Sequence, residues 1–258
     1  MMTYKSKLLP AFLALLMTAG FQPKLSAQDS SPAFENYFMP ASTKTAKPDE
    51  KGFIRRWLLL EPISKPNRNN RVFTDSYVRD ALTHEYFPGQ FTVIPKDGDK
   101  VKVNMEIQAP VNLQAGRPTA AQPQTPTMED VELTWHALDS KLFNIKLFRF
   151  ATGLGKTRYG VVFWAVTIVE CDRDMENVRL AVGTNKGSMW WVNGEELILL
   201  AGDRHMNVDS AVSKRITLKK GRNIVRAGII NGPSMSDFCA RFIDEQGNPI
   251  TNLTITCK

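Results

Sequence analysis

The side chains of this sequence that could meet a ligand are aromatic and polar rather than nucleophilic. Five tryptophans occur, Trp57, Trp135, Trp164, Trp190 and Trp191, and a flat indole can stack on the apolar face of a sugar ring. Trp190 and Trp191 are adjacent, so on a strand they point to opposite faces. One of the two then fills a core, and the other is either a stacking platform or packing beneath a loop. Further on, Gly202-Asp-Arg-His-Met-Asn-Val-Asp209 is the most polar stretch of the C-terminal half. Asp203, Arg204, His205, Asn207 and Asp209 mix the donors and acceptors that hydroxyl recognition uses. A plain solvated turn is the alternative reading of the same residues.

Other chemistries find less support. There is no Gly-x-Ser-x-Gly, and His84, His136 and His205 are widely spaced with no His-x-x-x-His pair. No catalytic residue, cofactor or metal is therefore assigned, although a Ser–His–Asp set or a carboxylate pair assembled in space stays open. Cys171-Asp-Arg-Asp-Met-Glu176 alternates acids, but Asn177 stands where a calcium loop of the EF-hand type needs Gly. The choice there lies between another kind of calcium site and an exposed acidic turn.

The chain has 258 residues, 33 Lys+Arg against 26 Asp+Glu, a net charge of +7 and 43% hydrophobic residues. Those proportions exclude wholesale disorder and a polytopic membrane protein. Met1–Lys7 is basic, Leu8–Ala19 is apolar, and Leu25-Ser26-Ala27 ends a short polar segment, as in a secretory signal peptide cut after Ala27. The alternative, a membrane anchor, needs a longer apolar run of about 20 residues. Removal of residues 1–27 takes away Lys5, Lys7 and Lys24 and no acid, leaving 231 residues with a net charge of +4. The remaining basic residues are scattered, so nucleic acid is not an expected partner. A secreted or periplasmic location is expected, with no transmembrane segment after cleavage.

Residues 28–50 are rich in Ser, Pro, Thr and Lys and read as a flexible leader. Residues 51–258 then read as one domain. Thr74 or Asp75 caps a short helix running through Leu82, and 109–129 is a long Pro-rich loop inside the domain. From Gly160 onward the pattern is β. Val161–Val169 is continuously apolar, as in a strand buried on both faces. Val178, Leu180 and Val182 alternate with polar or small residues. Asn193-Gly194 is a hairpin signal. The fold class is all-β, an antiparallel β-sandwich with a short helix. Export also permits disulfides. A final hairpin turning at Gly247-Asn248 would bring Cys239 and Cys257 within one residue of facing each other, with Cys171 free; three buried thiols are the alternative.

The order of these pieces resembles the galactose-binding-like β-sandwich (jelly-roll) modules that accompany bacterial carbohydrate-active proteins. The matching text is Val178–Thr184, then Trp191-Val-Asn-Gly194, then Leu218-Lys-Lys-Gly-Arg-Asn223, then Asp244-Glu-Gln-Gly247. Such modules often carry adjacent acids in the turn before the Trp strand, where this chain has Thr184-Asn185-Lys186. The resemblance implies a non-catalytic glycan-binding or accessory module, its partner a polysaccharide. A secreted hydrolase or esterase on the same sandwich, or a structural or adhesion subunit held to a cell-envelope protein, are the other readings.

Overall fold

A strand that is apolar on both sides needs a layer against each face, and the run from Val161 to Val169 has both. A computed structural model describes residues 32–67, 69–107 and 127–257; the expected signal peptide and the loop through residue 126 lie outside the described residues. In chain order the elements are α1 (Pro32–Glu35), β1 (Phe38–Pro40), β2 (Arg56–Leu60), β3 (Ile63–Ser64), α2 (Asp75–Thr83), β4 (Lys100–Glu106) and β5 (Met128–Ser140). There follow α3 (Leu147–Gly153), β6 (Val161–Cys171), β7 (Met175–Thr184), β8 (Ser188–Val192), β9 (Glu195–Leu200) and β10 (Ala211–Val212). The last are β11 (Ile216–Leu218), β12 (Gly221–Asn231), β13 (Phe238–Ile243) and β14 (Thr254–Thr256).

Ten strands make a large antiparallel sheet in the order β1-β5-β2-β6-β12-β8-β9, with β4 also on β5 and with β3 and β14 also on β6. Four strands make the second sheet, β7 at its centre with β10, β11 and β13 beside it. β6 and β12 pair along their whole lengths, from Cys171 opposite Gly221 to Val161 opposite Asn231. The two-residue period sorts the core. Trp57, Leu59, Phe163 and Ala165 face Leu180, Val182, Phe238 and Phe242 of the small sheet. Leu58, Leu60, Trp164 and Val166 face the other way, under Phe73, Val78, Leu82 and Phe87. The result is the expected all-β antiparallel sandwich with a third, partly helical layer on the large sheet's second face. Among the described residues no helix is long and apolar enough to cross a membrane.

α2 starts where Thr74 Oγ1 accepts a hydrogen bond from the Tyr77 amide, which satisfies one of the free N–H groups of the first turn. It docks over two glycines. A Cβ at Gly187 would lie 2.6 Å from Val78 Cγ2, and one at Gly228 would lie 2.9 Å from Leu82 Cδ2. Two missing side chains on the sheet therefore let one helix face, residues 78 and 82, sit close to it.

Three expectations are corrected. Residues 32–50 are not a flexible leader. β1 pairs with β5, and Ala46 bridges Ile255. Phe34 and Phe38 are buried with their ring centres 6.4 and 6.2 Å from Phe150. Buried Arg56 bonds Thr43 O at 2.9 Å as well as Asp139 at 2.6 Å, so a polar segment is fastened by a guanidinium. Residues 128 and 129, expected in the Pro-rich loop, instead belong to β5.

The third correction concerns Cys239 and Cys257, which are not bridged; all three cysteines are free and buried. The turn at Asp244–Gly247 forms, with Asn248 N donating to Asp244 Oδ1 at 2.7 Å. Beyond it, however, the chain changes sheets: β13 pairs with β7 and β14 pairs with β6. Cys257 joins the core on the far face of the large sheet, whereas Cys239 lies opposite Gly183 in the small sheet. A disulfide needs Cα atoms within about 7 Å, and packed sheets stand about 10 Å apart. Burial pushes the thiols of Cys239 and Cys257 up to about 12, so almost no reactive thiolate exists at neutral pH. Alkylation followed by mass spectrometry without reductant should label three thiols after denaturation and none rapidly beforehand; two missing labels would establish a bridge.

Candidate functional site

The margin of the third layer is where polar side chains remain open. Between α2, the end of β3 and the β4–β5 hairpin lies a hollow of about 420 Å³ lined by Lys65, Tyr77, Asp80, His84, Tyr86 and Glu106, among others. The helix contributes Tyr77, Asp80 and Ala81 from one side because residues three and four apart share a face. Lys65 Nζ sits 5.8 Å from the centre of the Tyr77 ring, and the His84 ring meets Tyr86 edge-on at 4.7 Å. Burial raises the phenol pKa values of Tyr77 and Tyr86, so both hydroxyls keep their protons across the physiological range. The Tyr86 hydroxyl donates to Ala81 O at 2.9 Å. Among the described residues, the carboxylates of Asp80 and Glu106 form no ion pair.

Two further hollows continue this one along the loop end of the sandwich. One, about 310 Å³, is lined by Pro66, Asn67, Tyr159, Gly160, Pro233 and Ser234. The other, about 460 Å³, is lined by Asn69, Arg71, Phe73, Gly202, Asp203 and Pro233. Pro66 is common to the first and second, and Pro233 to the second and third, so the three form one run. Tyr159 is 39% exposed. Ser234 is held at φ 91°, a left-handed conformation that costs a non-glycine residue energy and recurs at ligand sites.

Two amides beside the central hollow are oriented by their donors. Asn67 Nδ2 points to Lys65 O and Asn231 O, and Asn231 Nδ2 points to Arg158 O and Ser234 O. Among the described residues, neither buried side-chain oxygen then has a donor. An unmet buried acceptor costs about 1–3 kcal/mol, so this corner suits a water molecule or a hydroxyl.

The residues singled out in the sequence are distributed differently. Trp190 and Trp191 do take opposite faces, but neither is a platform. Trp190 is wholly buried against Trp57 and Phe238. Trp191 is 7% exposed, stacked on Trp164 at 5.6 Å and capped by Phe91 at 5.7 Å. The capping segment is tied down by Arg226, whose guanidinium donates to Val93 O at 2.9 Å. A sheet covered on its second face has no room for an exposed indole.

Of the loop residues, only Asp203 reaches the run of hollows, and its carboxylate pairs with the buried Lys186 ammonium. Arg204 turns inward to Ala201 O at 3.3 Å. His205 and Asn207 are exposed. Asp209 is clasped by Arg241, which holds the loop across the small sheet. The Asn207 carbonyl lies so close to Gly183 that a Cβ there would meet it at 2.0 Å. Loop residues 203–209 are therefore not gathered into one site.

The Thr184–Lys186 turn is closed by its own groups. Thr184 Oγ1 donates to Lys186 O at 2.6 Å, and Asn185 Oδ1 accepts from the Asp237 amide at 2.9 Å. The motif asparagines turn out to be braces: Asn193 Nδ2 donates to Asn223 Oδ1 at 2.9 Å, joining two turns. Asp174 accepts from the Lys220 amide at 2.7 Å. Among the described residues no three His, Cys, Asp or Glu side chains cluster to hold a metal.

Sequence reasoning missed the tyrosines of the groove, because a helix flanked by loops carries no local sign of which face stays open. It also missed a charged cluster of Glu61, His136 and Lys156, with His136 Nε2 and Lys156 Nζ at 3.5 and 3.0 Å from the Glu61 carboxylate. Burial alone would raise the Glu61 pKa, but the bonds from His136 and Lys156, the Lys156 charge and the Thr134 amide hold it below the ordinary value.

Two outcomes test these contacts. Gly183→Ala should lower stability by about 1–3 kcal/mol through overpacking, read as a fall in Tm, because a main-chain oxygen cannot step aside as a side chain can. Glu61 stabilises the fold above its unfolded pKa, and this contribution is lost as pH falls through its depressed folded value. Lys156→Gln should thus cost stability at pH 7, by less than about 1 kcal/mol since Lys156 is partly solvated, and cost progressively less below pH 4. Denaturant melts across that range check the sign.

No family model matches the sequence, and no curated protein matches it either. Among solved structures, the chain is similar to a PA14 sugar-binding domain from an RTX adhesin, at TM-score 0.38 and 9% identity, over 78% of this chain and 96% of that one. It is also similar to a β-glucosidase from Kluyveromyces marxianus in two crystal structures, one of them with glucose. The first match has TM-score 0.28 and 20% identity, over 48% of this chain and 13% of that one. The second has TM-score 0.22 and 23% identity, over 33% and 10%.

Proposed function

We propose that this chain is an exported glycan-binding module of the galactose-binding-like kind, which holds a polysaccharide along the run of hollows and performs no chemistry on it. The observation that carries the reading is the continuity of those hollows, joined at Pro66 and Pro233 and furnished with Tyr77, Tyr86 and Tyr159. An elongated groove with spaced aromatic rings suits a chain of sugars better than one compact ligand. Ring faces take the apolar sides of pyranoses, while open carboxylates and amides take hydroxyls. The signal-like N-terminus and the Trp-Val-Asn-Gly hairpin support the setting.

Affinity electrophoresis through gels containing neutral or acidic polysaccharides tests the reading. Tyr159→Ala and Tyr77→Ala should each weaken retention about fivefold, the scale of one stacking contact, while Trp191→Ala should lower Tm. No reducing sugar should be released from the same polymers. Retention unchanged in both tyrosine variants would move the site elsewhere, and retention by no polysaccharide would overturn glycan binding.

A further inference from the structure

We infer that the bound glycan is acidic, and that two arginines stacked between aromatic rings beside the central hollow recognise its carboxylate or sulfate groups. This deepens the glycan reading and rests on it. The rings and guanidinium groups alternate from Tyr37 to Tyr159. Arg149 lies 5.1 Å from the Tyr37 ring centre and 5.7 Å from that of Phe148. Arg158 lies 4.8 Å from Phe148 and 5.1 Å from Tyr159. The row ends at Tyr159, which lines the central hollow.

The charges in this row are available. Arg56, Arg79, Arg215 and Arg241 each pair with a carboxylate, but among the described residues Arg149 and Arg158 do not. The nearby acids already have an ion-pair partner: Asp237 bonds Lys146 at 2.6 Å while also feeling the Arg149 charge, and Glu61 bonds Lys156 at 3.0 Å. The open acids Asp80 and Glu106 line the first hollow, not this one. Both arginines are half-buried beside the rings, and a guanidinium stacked on a ring keeps its in-plane N–H edge for other partners. That edge matches two oxygens of a carboxylate or a sulfate ester and forms charge-assisted bonds stronger than those to a neutral hydroxyl. Arg149 already acts on the Asp237 carboxylate, so a neutral glycan would leave Arg158 as the cation without an ion-paired carboxylate among the described residues.

The test compares retention of the full chain by matched polymers: polygalacturonate against galactan, and dextran sulfate against dextran. The acidic member of at least one pair should bind about tenfold more tightly, and which pair responds tells carboxylate from sulfate. R149Q/R158Q should lose that preference, whereas K44Q/K47Q, which removes the same charge from two exposed lysines, should stay within about twofold. Arg158→Lys keeps the charge but not the planar edge and should fall about threefold; it also carries the test if the double variant does not fold. An equal fall in K44Q/K47Q would mean diffuse attraction and overturn the inference. Equal retention by neutral and acidic polymers would overturn it too, while leaving glycan binding standing; retention by none would overturn both.

Discussion

Everything in this molecule depends on β6 being apolar on both sides. From Val161 to Val169 no residue of the strand reaches solvent, so the large sheet must be covered twice. The small sheet covers one face. The other would expose Leu58, Trp164, Val166 and Trp191 were it not for Phe73, Val78, Leu82 and Phe87 above them. Fully burying side chains of this size contributes about 1.5–3 kcal/mol each, so the 70–95 segment is a structural layer before it is anything else.

That demand decides where a ligand can go. The tryptophans are consumed by packing, three of them, Trp57, Trp164 and Trp190, almost completely. Polar recognition is left to the rim of the covering layer, where α2 ends its contact with the sheet. The helix position is set from below by Gly187 and Gly228 and from the side by Arg79, whose guanidinium forks onto the exposed Glu196 carboxylate of β9 at 2.7 and 2.8 Å. The exposed pair adds little energy. The buried fit of Val78 and Leu82 is what fixes the tyrosine and the acid on the helix's open side.

Local signals in the sequence were read correctly where a local interaction decides the outcome. Asn193 and Gly194 both take positive φ, 52° and 84°, because a two-residue hairpin demands it. Thr74 caps its helix, and the Asp244 turn closes on Asn248, for the same reason. The apolar run of β6 announced two-sided burial before any partner was known. What failed was non-local. The Asp244 turn is real, yet which sheet receives the strand after it depends on the free edge of β6 beyond β2, and no residue near the turn reports that edge. The cysteine pairing fell with it. The segment before Lys51 looked polar throughout, since Phe34 and Phe38 are too few to make a period and find their partner, Phe150, more than a hundred residues away. Trp190 and Trp191 take opposite faces as their adjacency requires, but the cover over Trp191 comes from Phe91, a residue with no sequence relation to that strand.

The distribution of charge favours this rim over the turn before β8 for the glycan site proposed above. There, Lys186 is buried with its ammonium on Asp203, and Asn185 is locked to Asp237. A buried cation held by its counter-ion leaves little for a ligand to bind without breaking the pair. At the rim the situation is reversed. Asp80 and Glu106 line one hollow, and the guanidinium groups stacked from Tyr37 to Tyr159 flank the next. Carboxylates there can take hydroxyls and arginines can take anions, with no internal pair to disrupt. The first hollow and the central one thus differ in the sign of the groups beside them.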